Sequence, residues 1–171
     1  MSQPGAMSTY VTQGLDFADR APLVVEATDT VRATPDEVWA AILDYERWPA
    51  WFPRIATCAA TSDPPTGIGS TRDVVLKGGG GTFRERFIAW DEPERWSFTV
   101  YEGPPLFTSI VERVTLRPLD DDRTEVTYRM ALAPRRVLTP ILRLARGQLQ
   151  KVLAGALANL DGELDRRRRL G

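Results

Sequence analysis

The sequence of 171 residues contains no histidine and a single cysteine, Cys58. Histidine is the usual general base near neutral pH and the commonest metal ligand. Its absence therefore excludes Ser-His-Asp and Cys-His catalytic triads, HExxH metal sites and most zinc sites. One cysteine excludes an internal disulfide and any CxxC motif. Chemistry would have to use carboxylates, Arg, Lys, Tyr, backbone groups or water, and we expect neither a metal nor a cofactor.

A charge surplus and a long apolar run are also missing. Lys+Arg number 22 and Asp+Glu number 23, which gives a formal net charge of -1, whereas nucleic-acid binding needs a basic surplus over one face. No stretch approaches the ~20 consecutive apolar residues of a membrane span, and the N-terminus lacks the pattern of a signal peptide. We therefore expect a cytoplasmic protein whose partners are neutral or apolar, with no nucleic acid and no integral membrane segment.

Length and composition favour one domain. The chain is 43% hydrophobic and 26% charged, and its length fits a single domain of ~100–200 residues. Residues 1–22 are polar and without periodicity, which predicts a flexible N-terminal tail in which Met7 is an alternative start to Met1. Residues 23–167 are predicted to form the single domain, and residues 168–171 its C-terminal end.

Helix signals follow the first extended segment. Thr34 is a hydroxyl N-cap followed by proline, and Glu37 stands three residues later, as in a capping box. Pro49 and Pro53 then limit the next helical stretch. The pattern predicts two short helices directly after the first strand.

Extended segments alternate with turn residues through the middle of the chain. After a first strand from Leu23, we place strands at 54–61, 70–77, 82–91, 95–103, 107–118 and 123–133. No segment between them is long enough for the helical crossovers of a parallel sheet. The order therefore predicts an antiparallel meander.

From about residue 134 the apolar pattern returns to a helical period. One long amphipathic helix would carry Leu142, Ala145, Leu149, Val152, Leu153, Ala156, Leu160 and Leu164 along one side. The four arginines at 166–169 complement the negative end of its dipole. Contact of these arginines with an anionic lipid surface is the alternative interpretation.

The order of elements and four stretches of sequence resemble the SRPBCC/START-like superfamily. The stretches are TPDEVWAAILDYERWPAWFP, GIGSTRDVVLKGGG, RERFIAWDEPERWSFTV and RTEVTYRMAL. They are most similar to its bacterial polyketide cyclase/dehydrase and lipid-transport branch, over about residues 23–165. The resemblance implies an α+β helix-grip fold, as in birch-pollen allergen and START proteins. In this fold a curved seven-stranded antiparallel sheet surrounds a long C-terminal helix, two short helices follow the first strand, and an apolar cavity lies between sheet and helix.

Strand alternation indicates which polar side chains face that cavity. Glu85, Glu112 and Glu102 lie in phase with apolar neighbours, and Arg72 has the same facing as Glu85 on the adjacent strand. A buried carboxylate needs a cationic partner, water or a proton. Three interpretations of Arg72 and Glu85 stay open: a structural ion pair, a pair that orients a polar group of a ligand, and participation in chemistry.

The expected ligand contacts combine these polar groups with aromatic and aliphatic side chains. They are Trp48, Trp51, Phe52, Arg72, Val74, Phe83, Glu85, Phe87, Phe98, Val100, Ile110, Glu112, Tyr128, Met130, Leu149, Val152 and Leu153. The aromatic cluster of Trp48, Trp51 and Phe52 is explained either as a lid over a ligand or as core.

We expect a carrier or sensor that binds a lipid, a quinone-like compound or a polyketide in this apolar cavity. The alternative is a polyketide aromatase/cyclase or dehydratase, with Glu85, Glu112 and Tyr128 as candidate general acid/base groups. A third interpretation is an interaction module like the membrane-associated quinone chaperones of the superfamily.

Overall fold

Eight strands and five helices follow one another along residues 6–170, the part of the chain that the computed structural model describes. The strands are β1 (Ser8–Thr9), β2 (Leu23–Val31), β3 (Ile55–Ala60), β4 (Thr71–Leu76), β5 (Gly81–Asp91), β6 (Arg95–Gly103), β7 (Phe107–Pro118) and β8 (Thr124–Pro134). The helices are α1 (Phe17–Arg20), α2 (Pro35–Leu43), α3 (Trp48–Trp51), α4 (Thr139–Leu144) and α5 (Arg146–Leu170). Met1 and the rest of residues 1–5, and Gly171, lie outside the described residues.

The long strands form one antiparallel sheet in the order β2-β8-β7-β6-β5-β4-β3. Each strand from β3 to β8 pairs with the next in sequence, and β2 joins the far edge beside β8. The sheet curls around α5, which packs against β2 and α3. The predicted helix-grip fold and its seven-stranded meander are confirmed.

The first helix after β2 begins where its capping residues indicate. The Glu37 amide donates to the Thr34 hydroxyl at 3.3 Å, and the Thr34 amide donates to the Glu37 carboxylate at 2.8 Å, so both halves of the capping box are present. The Trp48 indole donates to the Ile42 carbonyl at 2.8 Å, which fastens α3 beneath α2. This bond holds the indole of Trp48 toward the interior of the sheet.

The concave face of the sheet carries the side chains that alternation assigned to it. The buried core includes Trp96, Phe98 and Val100 of β6 and Val114 of β7, with Tyr128 of β8. From the helix side, α5 contributes its own buried residues, which are Leu153, Ala156, Leu157, Leu160, Glu163 and Leu164. Sheet and helix therefore share one core.

The C-terminal helix is divided, in contrast to the predicted single helix. The break lies at Ala145, where ψ is -3° and α4 ends before α5 begins. No side chain of α4 is buried, whereas α5 is anchored in the core from Leu153 onward. The apolar residues Leu142 and Leu149 on either side of the break are only half-buried.

The N-terminal segment differs from the predicted flexible tail. The last paired residues of β6 and β7 are Thr99 and Val111, and beyond them β1 and the residues after it lie between the two strands. The Tyr10 amide donates to the Tyr101 carbonyl of β6 at 3.0 Å, and the next amide donates to the Thr108 carbonyl of β7 at 2.8 Å. Helix α1 then covers the outer face of the sheet with Phe17.

Candidate functional site

A cavity of about 440 Å³ lies between the concave face of the sheet and the helices α4 and α5. This volume is within the ~300–1,000 Å³ of small-molecule sites. Its closed end is formed by buried side chains, among them Trp48, Arg72 and Tyr128. Its open end is bounded by exposed residues such as Leu106 and Gln148. A molecule in this cavity would have one end in the core and the other near solvent.

Most of the predicted ligand contacts line this cavity. They are Trp48, Phe52, Arg72, Val74, Phe83, Glu85, Val100, Ile110, Glu112, Tyr128, Met130, Leu149, Val152 and Leu153. Trp51, Phe87 and Phe98 do not line it, because they lie deeper in the core. The Trp51 ring packs 4.5 Å from the ring of Trp48, and the rings of Phe87 and Phe98 pack 5.8 Å apart. These three residues support the cavity wall from behind.

Several wall residues were not predicted. They are Arg54, Ile55, Leu76, Gly80, Leu106, Phe107, Leu132, Leu142 and Gln148. Leu76 and Leu132 do follow the alternation of their strands, and Leu142 belongs to the apolar side of the predicted helix. By contrast, Gly80 and Leu106 lie in loops that have no periodic pattern to indicate their direction.

Arg72 and Glu85 form an ion pair at the closed end. They lie directly opposite each other on β4 and β5, and the Arg72 Nε donates to Glu85 Oε2 at 2.6 Å. Burial by itself lowers the pKa of Arg72, but the charge of Glu85 raises that pKa above its usual value. Burial raises the pKa of Glu85, and Arg72 opposes that shift. The arginine stays protonated, and its hydrogen bond to the Glu85 carboxyl offsets part of the cost of burying both groups.

Aromatic rings enclose the Arg72 guanidinium. The ring centroids of Tyr45, Trp48, Phe87, Trp96 and Phe98 lie between 4.2 and 5.4 Å from its central carbon. Each ring face attracts the cation, and the side chain is only 1% exposed. The guanidinium is therefore fixed in the core, which favours the structural interpretation of the ion pair.

Glu112 and Tyr128 form a second polar pair on the same wall. The Tyr128 hydroxyl donates to Glu112 Oε2 at 2.5 Å between the neighbouring strands β7 and β8. Burial, with the nearby charge of Glu85, raises the pKa of Glu112 to about 8. Burial and Glu112 raise the pKa of Tyr128 well above its usual value. Near neutral pH the Glu112 carboxyl is mostly protonated, so this pair is also uncharged.

Glu102, which was expected to face the cavity, does not line it. The register shifts by a bulge between Arg84 and Glu85, so Arg84 pairs with Glu102 on β6. The Arg84 guanidinium donates to the Glu102 carboxylate at 2.6 Å, and both side chains are partly exposed. Strand alternation correctly predicts that Val100 faces the cavity. Because the bulge lies between Val100 and Glu102, the alternation does not extend to Glu102.

Other kinds of site find little support in residues 6–170. Burial raises the pKa of the Cys58 thiol to about 11, although the Arg72 charge opposes it, so the thiol is an inert core group. Among the described residues, no three side chains of His, Cys, Asp or Glu come together as metal ligands. None of the helices in that part of the chain has the length and apolar character needed to cross a membrane.

Comparison with known sequences gives a family and distant relatives. A family model described as polyketide cyclase / dehydrase and lipid transport matches residues 22–165. Uncharacterized proteins of Mycobacterium tuberculosis and Mycobacterium bovis are each 34% identical over 89 residues, which is 52% of this chain and 53% of the relative. The chain thus matches about half the length of these curated relatives.

Solved structures share the fold. A START superfamily protein from Mycobacterium smegmatis aligns with a TM-score of 0.67 and 22% identity, over 84% of this chain and 97% of that chain. The ZhuI aromatase/cyclase from Streptomyces sp. R1128 aligns with a TM-score of 0.69 and 21% identity, over 85% and 94% of the two chains. With the match over residues 22–165, the chain belongs to the polyketide cyclase / dehydrase and lipid transport family of START-like (SRPBCC) proteins.

Proposed function

We propose that the protein is a carrier or sensor for a neutral hydrophobic molecule, such as a lipid, a quinone-like compound or a polyketide. The family and the fold support a hydrophobic ligand or cyclase-type chemistry. The observation that carries the proposal is the cavity itself, which is mostly apolar and has Arg72, Glu85, Glu112 and Tyr128 at its closed end. Burial of apolar surface at roughly 25 cal/mol per Å² would supply most of the affinity.

The charge balance at the closed end favours a neutral polar group on the ligand. Arg72 is matched by Glu85, and Glu112 is mostly protonated near neutral pH. Because Tyr128 donates to one oxygen of Glu112, the carboxyl proton is available to donate to an acceptor in the cavity. A carbonyl oxygen at the buried end of an apolar molecule fits this donor, whereas a carboxylate at the closed end would lack a free cation there.

A matched pair of ligands tests this proposal. Thermal shift and native mass spectrometry would compare a long-chain fatty acid methyl ester, the corresponding fatty acid and a prenylated naphthoquinone. We expect the neutral ester and the quinone to bind better than the acid. A ligand at 100 times its Kd raises the free energy of unfolding by ~2.7 kcal/mol.

A cavity-filling substitution provides the control. Leu149→Trp places a large ring on the cavity wall and is expected to abolish binding, whereas Leu144→Trp, at a position that is 90% exposed, is not. Absence of binding for both neutral ligands, or unchanged binding by Leu149→Trp, would contradict the proposal.

The alternative function is a polyketide aromatase/cyclase or dehydratase. The observation that favours it concerns Glu112, whose pKa of about 8 suits proton transfer near neutral pH. The carboxyl group of Glu112 also accepts a hydrogen bond from the Tyr128 hydroxyl at 2.5 Å. The carboxyl would donate a proton to a substrate carbonyl or to a departing hydroxyl. The cavity would hold the folded chain and keep out water.

Glu112→Gln separates the two functions. The amide keeps a neutral donor at this position but cannot transfer the proton. We expect the variant to bind neutral ligands as the wild type does. If the protein is an enzyme, conversion of a linear poly-β-ketone thioester should stop in the variant. No conversion by the wild type above the buffer rate would exclude the alternative for that substrate class.

A further inference from the structure

Basic side chains without an anionic partner gather around the open end of the cavity. Arg54 lines the cavity, and Lys77, Arg143, Arg146 and Lys151 lie within two residues in sequence of a lining residue. The Arg135 amide donates to the carbonyl of Leu106, another lining residue, and Arg136 follows directly. None of them forms an ion pair with a carboxylate of residues 6–170. The sequence between Glu125 and Asp161 also contains no acidic residue. A chain with a net charge of -1 therefore has a strongly basic end.

The arginines at the other end of α5 are different. Arg166 and Arg167 both pair with Glu163, and Arg168 pairs with Glu37 at 3.4 Å. These charges are neutralised within the fold, so the four-arginine tail is not the free basic surface that its sequence suggests. Apart from Arg86, which stacks on the Tyr101 ring, the cations without a carboxylate partner in the described part of the chain are the seven near the cavity opening.

Exposed aliphatic side chains lie among the unpaired cations. Val137, Ile141 and Leu144 are 81%, 64% and 90% exposed, and Leu106 in the loop between β6 and β7 is 42% exposed. The spacing of three residues places Ile141 and Leu144 along one side of α4, and Val137 lies in the 3-10 turn directly before that helix. Leu142 of the same helix lines the cavity with Leu106. One short helix therefore presents apolar groups both to the cavity and to solvent.

We propose that this surface, defined by Leu106, Val137, Ile141 and Leu144 with the cations around them, docks on an anionic phospholipid bilayer. Aliphatic side chains would enter the headgroup region while unpaired arginines and lysines contact lipid phosphates. The patch is aliphatic and projects outward, whereas the cores of protein interfaces are enriched in aromatic residues. These features favour a lipid surface over an acidic protein.

Docking in this orientation directs the open end of the cavity toward the membrane. An apolar molecule could then pass between bilayer and cavity without exposure to bulk water. This consequence rests on the proposed function, whereas docking itself does not depend on which ligand is bound.

Vesicle sedimentation tests the proposal with the full chain. We expect binding to phosphatidylglycerol vesicles that weakens with added salt, and much weaker binding to phosphatidylcholine vesicles. Arg136→Glu/Arg143→Glu should lower the partition coefficient about 20-fold or more, because each basic residue near an anionic surface contributes about fivefold. Ile141→Ser/Leu144→Ser should weaken vesicle binding, but the salt dependence of the remaining binding should stay the same as in the wild type.

Matched variants at the opposite end separate local from overall effects. Arg117→Glu/Arg169→Glu makes the same change in net charge at exposed positions, and Ile68→Ser removes a 74% exposed aliphatic side chain from another surface. Both should bind vesicles as the wild type does. Equal losses of binding in these controls would overturn the proposal. It would also be overturned if the wild-type chain stays in the supernatant with both kinds of vesicle, a result that would point to a protein partner or a second copy.

The same variants are assayed for binding of the fatty acid methyl ester without vesicles. Loss of vesicle binding with retained ester binding supports a separate docking surface. Vesicle binding by a wild-type chain that binds none of the neutral ligands would support docking and contradict the proposed function. The two proposals can therefore fail independently.

Discussion

The Tyr128 hydroxyl donates a 2.5 Å hydrogen bond to Glu112 across two neighbouring strands at the closed end of the cavity. The bond satisfies one carboxyl oxygen, and burial keeps the group mostly protonated near neutral pH. A carboxylic acid in this state is a hydrogen-bond donor to the cavity, as well as a group that can exchange a proton. The proposed binding and the alternative proton transfer would therefore depend on the same two residues.

Glu112 should make the stability of the protein fall as pH rises from the ordinary carboxyl pKa to about 8. Its pKa is raised to about 8 in the folded state, so its contribution to stability is present below the ordinary carboxyl value and is lost as pH rises through about 8. Glu112→Gln has no such titration. Urea unfolding measures the free energy of unfolding of both proteins. Between pH 5 and pH 9 the variant should gain roughly 3–5 kcal/mol relative to the wild type. Parallel profiles for the two proteins would contradict the raised pKa.

Tyr128→Phe should destabilise the fold at neutral pH by about 1–3 kcal/mol, because it leaves a buried carboxyl group without its partner. The ring and its packing against Phe52 and Trp96 are retained. Tyr101→Phe is the control, since Tyr101 is half-buried and stacks with Arg86. We expect urea unfolding to show a small effect for the control. Equal effects of the two substitutions would mean that the hydrogen bond contributes little.

The sequence predicts the facing of residues more reliably than their depth. Alternation and antiparallel pairing are sufficient to bring Arg72 and Glu85 together on neighbouring strands. Alternation assigns Phe87 and Phe98 to the concave face as well, but it cannot show that they lie behind the cavity wall. That depth depends on the curl of the sheet and on how tightly the rings pack around Arg72.

Contacts between distant segments are the part that the sequence does not predict. The Tyr128–Glu112 hydrogen bond depends on the register of β7 and β8, and the periodic pattern does not specify this register. Phe17 is the one large buried side chain of α1. A helix of four residues is too short to show a periodic apolar pattern, so the sequence does not predict it. Glu163 lies between apolar positions of α5, but its partner Arg47 comes from a different part of the chain.

Glu163 should contribute to stability at neutral pH by connecting α5 to the turn before α3. Hydrogen bonds from Arg166 and Arg47, at 2.6 and 3.0 Å, hold its pKa at about 2. For a lowered pKa the contribution is present above the ordinary value and is lost as pH falls through about 2. Glu163→Gln should therefore cost about 1–3 kcal/mol at pH 7 and progressively less in acid.

Guanidinium unfolding at pH 7 and pH 3 measures this difference. Asp165→Asn is the matched control, because Asp165 is two residues away and pairs with the exposed Arg32 and Arg169. We expect the control to lose less than about 1 kcal/mol at both pH values. A loss for Glu163→Gln that is the same at pH 3 as at pH 7 would show that packing, and not charge, explains its effect.

Phe17→Ala should destabilise the protein by about 2–4 kcal/mol, because the ring fills an apolar site on the outer face of the sheet. Phe17 is buried with Val111 of β7 and Ala131 of β8, and α1 packs against both strands. Val11→Ala, at a position that is 64% exposed, is the control and should have little effect. If thermal unfolding shows the same small loss for both variants, the N-terminal segment is not anchored on the sheet. A large loss for Phe17→Ala alone means that residues before β2 are needed for a stable sheet, since β7 and β8 also form the wall that carries Glu112 and Tyr128.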